Sequence, residues 1–338
     1  MSEQTLPTTA RVWHLDSRPE GRPVTSDFSL RQVELPAPGP GQLLVTNEYL
    51  SVDPYMRGRM SDKKSYIEPY DVNAPLDGPA VGRVLVSNAE GFAPGDSVVH
   101  VLGWRDHAVL DAAGAQKVDP DLAPLSAYLG VLGVTGLTAY IGLERFAKIK
   151  EGDTVFVSGA AGAVGSVAGQ IAKLKGAGRV IGSAGSDDKV KSLIEEYSYD
   201  AAFNYKNGVV AEQLAQAAPD GIDVFFDNVG GEHLEAAIGA LRLHARIVLC
   251  GMVSQYNDEK VVGPRNLWNL SVTRSDILSF MFSEELDLQP GFVREVGGWL
   301  AAGKLRYRET VRDGLDNTLD AFLSMMRGEN IGKMIVKL

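Results

Sequence analysis

Val155-Phe-Val-Ser-Gly-Ala-Ala-Gly-Ala-Val-Gly165 is the stretch that decides the fold. A short apolar run of strand character passes straight into a glycine-rich turn, and Val164 to Lys175 continues as an apolar helix. The dinucleotide fingerprint G-x-G-x-x-G sits at such a strand-to-helix junction. Here Ala160 stands at the first glycine position, and Gly162 and Gly165 at the second and third. Gly162 lets the backbone approach a pyrophosphate, and Gly165 lets the helix pack close to the sheet. The N–H groups at the helix start, around Ala163 and Val164, then hold phosphate with the help of the helix dipole. A tight strand–helix turn without a ligand would use the same glycines. The strand that follows at Arg179 to Ser183 favours the nucleotide reading.

Working outward, the chain alternates strand and helix from about Leu125 onward. Thr154 to Ser158 is a strand, followed by the helix just described and the strand at Arg179 to Ser183. Asp187 to Tyr197 reads as a helix, Val224 to Asp227 as a strand, Glu232 to Leu241 as a helix and Ala245 to Cys250 as a strand. Short connections between alternating elements imply parallel pairing and a doubly wound α/β sheet. Ahead of Leu125 the pattern is different. Arg11 to Leu15, Phe28 to Glu34, Gln42 to Val52, Ala80 to Ser87 and Ser97 to Leu102 are short apolar runs. Turn clusters such as Pro36-Ala-Pro-Gly-Pro40 and Pro94-Gly-Asp96 separate them. Such strands suggest a partly closed, barrel-like β domain. Two domains follow: residues 128–302 form the nucleotide-binding unit. Residues 1–127 and 303–338 form the β-rich unit, to which the strand Lys333 to Leu338 returns.

Composition narrows the function classes. The 338 residues carry 33 Lys+Arg and 43 Asp+Glu, a net charge of −10, which disfavours nucleic acid as a partner. Apolar residues at 45% allow a sizeable core, and 37 glycines point to turns and close backbone approaches. Cys250 is the lone cysteine, so no intrachain disulfide and no cysteine-rich zinc site is expected. The five histidines lack metal-ligand spacing, so no metal is expected. His100 and His107 read as structural. Met1 to Pro7 has no basic start and no apolar core, so a cytoplasmic protein is expected. Leu122 to Leu143 is uncharged and long enough to span a bilayer. Its Pro124 and its glycines at 130, 133, 136 and 142 make a buried, broken helical segment the better reading, and no membrane partner is expected.

The second strand ends Ile181-Gly-Ser-Ala-Gly-Ser186 with no acid at its tip. An enzyme for NAD places Asp or Glu there, about 20 residues past the glycines, for the ribose 2′-hydroxyl. The small polar tip leaves room for a 2′-phosphate that Lys189 would neutralise, which favours NADP. The other reading makes Lys189 a solvated first-turn residue, with Asp187 and Asp188 as helix N-terminal charges.

Several further motifs occur in order along the chain. They are Leu50-Ser-Val-Asp-Pro-Tyr-Met-Arg-Gly58, Leu132-Gly-Val-Thr-Gly-Leu-Thr-Ala-Tyr140, Ala160-Ala-Gly-Ala-Val-Gly-Ser166, Gly182-Ser-Ala-Gly-Ser186 and Ala202-Phe-Asn-Tyr-Lys206. Phe226-Asp-Asn-Val-Gly-Gly231, Cys250-Gly-Met-Val-Ser-Gln-Tyr-Asn257 and Asn330-Ile-Gly-Lys-Met-Ile-Val336 complete the set. In these the chain closely resembles, over almost its whole length, the zinc-independent medium-chain dehydrogenase/reductases. The type is that of the prostaglandin reductases (leukotriene B4 12-hydroxydehydrogenases), plant double-bond reductases and curcumin-type reductases. The resemblance implies a GroES-like, partly closed barrel beside a Rossmann-type domain. It implies reduction by NADPH of the C=C bond of α,β-unsaturated ketones or aldehydes, with hydride transfer to the β-carbon, and a homodimer.

The resemblance also implies site residues. Lys189 and Tyr205 would hold the 2′-phosphate beside Gly185. Asn228, Cys250, Gly251 and Ser254 would line the cofactor, with Pro54 from the first domain. Phe280, Met281 and Phe282 would lie along the nicotinamide, and Asn330 would reach it from the tail. Tyr256 and Tyr55 match the family's two tyrosines. Hydride addition leaves negative charge on the carbonyl oxygen, and a neutral phenol, protonated at neutral pH, can donate a hydrogen bond there. Tyr256 would contact the cofactor as well. Where zinc-dependent relatives carry Gly-His-Glu, this chain has Leu76-Asp-Gly-Pro79, which offers no such ligand. The polar segment Gln255 to Leu270 reads as a candidate lid. Two competing readings share the glycine loop: a quinone reductase of the same superfamily, and a non-catalytic NADPH-binding sensor or structural protein.

Overall fold

The computed structural model describes residues 6–258, 260 and 262–338. Most of the segment read for a leader, and Glu259 and Val261 of the candidate lid, lie outside the described residues. The chain divides into two compact units. The first takes residues up to 129, together with 309–330 and 334–338, and the second takes 130–308 and 331–333.

The first unit opens with β1 (Thr9–Leu15), β2 (Phe28–Glu34) and β3 (Gln42–Ser51). After these come the short helix α1 (Tyr55–Arg59), β4 (Ala74–Pro75), β5 (Ala80–Ser87), β6 (Ser97–His100), β7 (His107–Asp111) and β8 (Gln116–Lys117). β1 pairs antiparallel with β2 and β4 in a three-stranded sheet. β3 is the spine of a seven-stranded sheet. Six of its ten residues are buried, and it pairs along most of its length with β5 and over Gln42–Thr46 with β7. Gly82 permits this sheet to close up. A Cβ there would lie 2.2 Å from the Thr46 carbonyl oxygen.

In the second unit α2 (Val134–Ile141) precedes β9 (Thr154–Val157), α3 (Ala163–Leu174), β10 (Arg179–Ala184), α4 (Asp187–Glu195) and β11 (Ala201–Asn204). There follow α5 (Val210–Ala217), β12 (Ile222–Asp227), α6 (Gly231–Gly239), β13 (Leu241–Leu249), α7 (Trp268–Thr273), β14 (Asp276–Ser279) and α8 (Gln289–Ala301). The six strands pair in parallel in the order β11-β10-β9-β12-β13-β14, so the sheet is doubly wound and reverses direction at β9. The core of one face is aromatic: Phe156 stacks on Phe225 at 4.9 Å and on Phe203 at 5.8 Å, over Leu214 and Leu234 from α5 and α6. Leu241 is a correction to the sequence reading. It opens β13 opposite Ile222 rather than closing the preceding helix, which stops at Gly239. The uncharged Leu122–Leu143 stretch is interrupted as its glycines suggest. A 3₁₀ turn covers Leu125–Leu129, and α2 begins only at Val134, with Gly136 pressed on the Val131 carbonyl. Among the described residues no helix is long and apolar enough to cross a membrane.

The tail returns to the first unit through β15 (Glu309–Asp313), α9 (Thr318–Met326) and β16 (Lys333–Lys337). β16 pairs antiparallel with β3, Ile335 opposite Ser51. Phe322 from α9 meets Trp104 edge-on at 5.8 Å in a core that also holds Leu50, Met56, Met60 and Val336.

Candidate active site

The glycine turn has its left-handed residue one position earlier than the fingerprint count suggests. Gly159, at φ +57, makes the sharp exit from β9, and the Ala160 N–H donates to Ser183 O in the neighbouring strand at 2.9 Å. Gly162 then caps α3 in an extended conformation (φ −82, ψ 179) with no side chain accepting from the helix's first N–H groups. Those groups lack intrahelical partners. The glycines divide the work. A Cβ on Gly165 would lie 2.5 Å from Gly159 O and 2.7 Å from Ala160 Cα, so only glycine lets the helix sit this close. A Cβ on Gly162 would meet only Gly159 O, at 3.3 Å, so its outer face is open. The Tyr199 hydroxyl, buried beneath Gly169, donates to Gly165 O at 2.7 Å and fixes the first turn from below. Gly332 forms a bridge with Gly162, and its N–H donates to Ala161 O at 2.8 Å. Asn330, two residues ahead of it, is buried and counts with the first unit.

The tip of β10 gathers cations. Ser186 caps α4, accepting from the Lys189 N–H. Burial, and then the like charge of Lys206, hold the Lys189 ammonium below its usual pKa. The Tyr205 hydroxyl lies over Gly185, where a Cβ would come within 3.0 Å of it. The Tyr205 ring rests edge-on against buried His233 at 5.2 Å, with the Lys206 ammonium 5.9 Å from its centroid. Asp187 is turned away to β11 and its loop, accepting from the side-chain amides of Asn204 and Asn207. Two ammonium groups that disfavour one another, beside a phenol and an exposed helix start, suit a phosphate monoester.

At the end of β12 the structure adds a residue that motif reading passed over. Asp227 is fully buried, and one carboxylate oxygen accepts from the Ser158 hydroxyl (2.7 Å) and from the N–H groups of Val229 and Gly230 (2.9 Å each). Its backbone carbonyl accepts from the N–H groups of Cys250 and Gly251. Burial nonetheless holds its pKa above the usual carboxylate range. Asn228 donates its N–H to the Ser158 hydroxyl and its side-chain amide to Ser158 O. One carboxyl thereby sets the ends of β9, β12 and β13. An acid closing the apolar run Val224-Phe-Phe-Asp227 was the available signal, because a buried carboxyl needs donors.

The turn after β13 folds back on that base. Ser254 donates to Val229 O at 2.6 Å, and the Tyr256 hydroxyl sits above Gly251, accepting from the Met252 N–H at 3.5 Å. Burial raises the Tyr256 phenol above its ordinary pKa, with Cys250 and Asp227 acting in the same direction. The Cys250 thiol is pushed up to about 12 by burial and Asp227, so it is not a nucleophile at neutral pH. Phe280, half-buried, stacks on Phe146 at 5.1 Å, with Gly142 leaving room for its ring; Met281 and Phe282 follow it, also half-buried.

The structure thus brings the second unit's site residues to one place, the carboxyl ends of its parallel strands. These are Gly162, Ala163, Val164 and Gly165 after β9, Gly185 and Lys189 after β10, and Tyr205 after β11. Asn228 follows β12, Cys250, Gly251, Ser254 and Tyr256 follow β13, and Phe280 to Phe282 follow β14. Open α/β sheets bind ligands along this edge, at the point where strand order reverses. A dinucleotide fits it: the open face of Gly162 admits a pyrophosphate, and the Lys189–Tyr205 corner admits a 2′-phosphate.

Pro54 and Tyr55 belong to the first unit, at the N-terminus of α1. Tyr55 is half-buried against the core cluster that includes Met56, Met60 and Leu76. Burial, then Asp53, raises the Tyr55 phenol well above its ordinary pKa, against the pull of Arg59. Both tyrosines therefore keep their protons at neutral pH. Among the described residues neither hydroxyl donates to a protein acceptor, and no three His, Cys, Asp or Glu side chains are grouped to hold a metal ion.

Two family descriptions match the chain: "N-terminal domain of oxidoreductase" over residues 11–118 and "Zinc-binding dehydrogenase" over residues 163–291. The chain is 40% identical to the NADPH-dependent curcumin reductase of Escherichia coli, covering 97% of this chain and 96% of that one. It is also 40% identical to the 2-alkenal reductase (NADP(+)-dependent) of Nicotiana tabacum, covering 94% of each. The crystal structure of CurA in complex with NADPH from Vibrio vulnificus superposes with a TM-score of 0.92 at 40% identity, covering 97% of this chain and 98% of that one. Matches of this extent settle the family. The chain belongs to the zinc-independent medium-chain dehydrogenase/reductases of the prostaglandin, curcumin and alkenal reductase type.

Proposed function

We propose that the protein is an NADPH-dependent reductase of the C=C bond of α,β-unsaturated ketones and aldehydes. One observation carries this reading: the Tyr256 hydroxyl accepts a backbone N–H, keeps its own proton, and stands at the strand ends beside Asn228 and Gly251. The choice of NADPH is supported by the Lys189, Tyr205 and Lys206 corner and by Asp187 being turned away from it. The reading is also supported by relatives named as an NADPH-dependent curcumin reductase and a 2-alkenal reductase (NADP(+)-dependent).

NADPH, when bound, supplies the hydride that adds to the β-carbon. Tyr256 is the donor that the second unit offers to the carbonyl oxygen as negative charge develops there, and the family resemblance assigns the same role to Tyr55; a phenol is protonated at neutral pH and can donate. The α-carbon takes its proton from solvent. Ser158 and Asp227 hold the loop of Asn228 in place throughout. The homodimer reading is supported by β14, an edge strand, and by exposed Ile277, Val272 and Trp268 around it.

The test is NADPH oxidation with an alkenal, an aryl enone and a quinone, with product analysis, in the native protein and in Tyr256→Phe. Enones are expected to give saturated carbonyl products, and loss of one oxyanion donor to lower kcat by about 10²–10³-fold. Unchanged enone turnover in Tyr256→Phe would remove Tyr256 as the donor, and turnover of the quinone alone would replace the reading with a quinone reductase.

A further inference from the structure

Tyr55 sits on a helix that cannot hold itself. α1 has five residues and no side-chain N-cap, and so short a helix is not stable on its own. Tyr55 and Arg59 are its first and last residues, spaced i and i+4, and so share one face.

Every part of the Arg59 guanidinium is engaged. Its two terminal nitrogens grip the two carboxylate oxygens of Asp77, and its Nε donates to Glu68 O at 2.9 Å. Its plane lies over the Tyr70 ring, 3.9 Å from the centroid. Tyr70 closes the circuit: its N–H donates to Arg59 O and its hydroxyl to Asp77 O, each at 2.7 Å. Asp77 is brought to this place by its neighbour. A Cβ on Gly78 would lie 2.5 Å from the end of the flexible Met56 side chain, so the segment lies directly against α1. The backbone of Gly78 is tied in turn to Val101 and Gly103, at 2.8 Å each. The charged groups facing the Tyr55 phenol are Asp53, Arg59 and Asp77, with Tyr66 beside them. The cation of Arg59 thus stands next to the phenol with its counter-charge bound to it.

We propose that Arg59 and Asp77 are positioning residues for Tyr55: their bidentate ion pair fixes the helical turn that carries the phenol and balances the charge beside it. The proposal rests on the reading of Tyr55 as a hydrogen-bond donor to the substrate.

A double-mutant cycle on enone reduction tests it. Arg59→Met and Asp77→Asn are each made in the native protein and in Tyr55→Phe, and kcat and the NADPH KM are measured for all. A misplacement of order 1 Å costs roughly 10²-fold in rate, so each single variant is expected to lose about 10- to 100-fold in kcat with the NADPH KM unchanged. In the Tyr55→Phe background the same changes are expected to cost less than about twofold, because residues acting as one unit are not additive. Equal losses in both backgrounds, or native kcat in the single variants, would overturn the positioning role. Native kcat in Tyr55→Phe itself would overturn the donor reading beneath it. Should Arg59→Met or Asp77→Asn fold poorly, Arg59→Lys and Asp77→Glu keep the charges, alter the bidentate grip, and run through the same cycle.

Discussion

The two later glycines of the turn make opposite demands, and separating them is a sharp test of how this site is built. At Gly165 an added methyl would sit 2.5 Å from Gly159 O, 2.7 Å from Ala160 Cα and 3.0 Å from Ala160 C. All three neighbours are backbone, so no side-chain rotation can relieve the contact, and the helix or the turn has to retreat by several tenths of an ångström. Overpacking of this kind costs about 1–3 kcal/mol. For a unit of this size each kcal/mol lowers the melting temperature by roughly 2–4 °C. Gly165→Ala is therefore expected to melt about 2–12 °C lower and to bind NADPH more weakly, since the turn that holds the pyrophosphate is displaced. At Gly162 the backbone is ordinary extended chain, and the methyl would meet only Gly159 O at 3.3 Å. Gly162→Ala should melt within about 2 °C of the native protein, which corresponds to less than 1 kcal/mol. Its methyl stands where the phosphates must approach, so NADPH affinity should fall by at least about tenfold, or 1.4 kcal/mol. Differential scanning calorimetry and fluorescence titration with NADPH give the two numbers for each variant. Native NADPH affinity in Gly162→Ala, or equal thermal losses in both variants, would refute the division of roles.

Two further expectations follow from the charges. Lys189→Ala removes one charge-assisted contact to the 2′-phosphate, worth about 1.5–3 kcal/mol, so the preference for NADPH over NADH should fall by roughly 10- to 150-fold in kcat/KM, with NADH activity nearly unchanged; an intact preference would return Lys189 to the solvent face. Burial lowers His100 and His233 from 6.5 to about 4, so the unfolded chain binds protons in this range that the folded one refuses. Stability is full above about pH 6.5 and is lost as the pH falls toward 4, by about 3 kcal/mol for each histidine. Denaturant unfolding across pH 4–7 checks the slope, which His233→Leu should reduce by about half.

The nucleotide half of the site was legible in the sequence because its determinants are local. Val155 to Gly165 writes strand, turn and helix in eleven consecutive residues, and a turn that only glycine can make is visible without tertiary information. Lys189 and the missing acid at the β10 tip are local as well. Other elements were not legible, for physical reasons that can be named. β14 (Asp-Ile-Leu-Ser) is a half-exposed edge strand paired on one side only, so it carries no buried apolar run to detect. Gly159 holds the positive φ that the fingerprint assigns to the first glycine position, because the turn begins where β9 leaves the sheet and not where the motif is counted from.

By itself the sequence determined the doubly wound domain, the dinucleotide cradle and the family, since backbone propensity, apolar period and ordered motifs act over short stretches. Only the tertiary structure decided what surrounds the two phenols. Burial above Gly251 raises the Tyr256 phenol above its ordinary pKa, with Cys250 and an Asp227 carboxyl far from it in the chain acting in the same direction. Arg59 of the Tyr55 helix meets Asp77, 18 residues further along the chain. Desolvation and ion pairing depend on which atoms are neighbours in space, and a buried charge finds its partner by packing, whatever the separation along the chain.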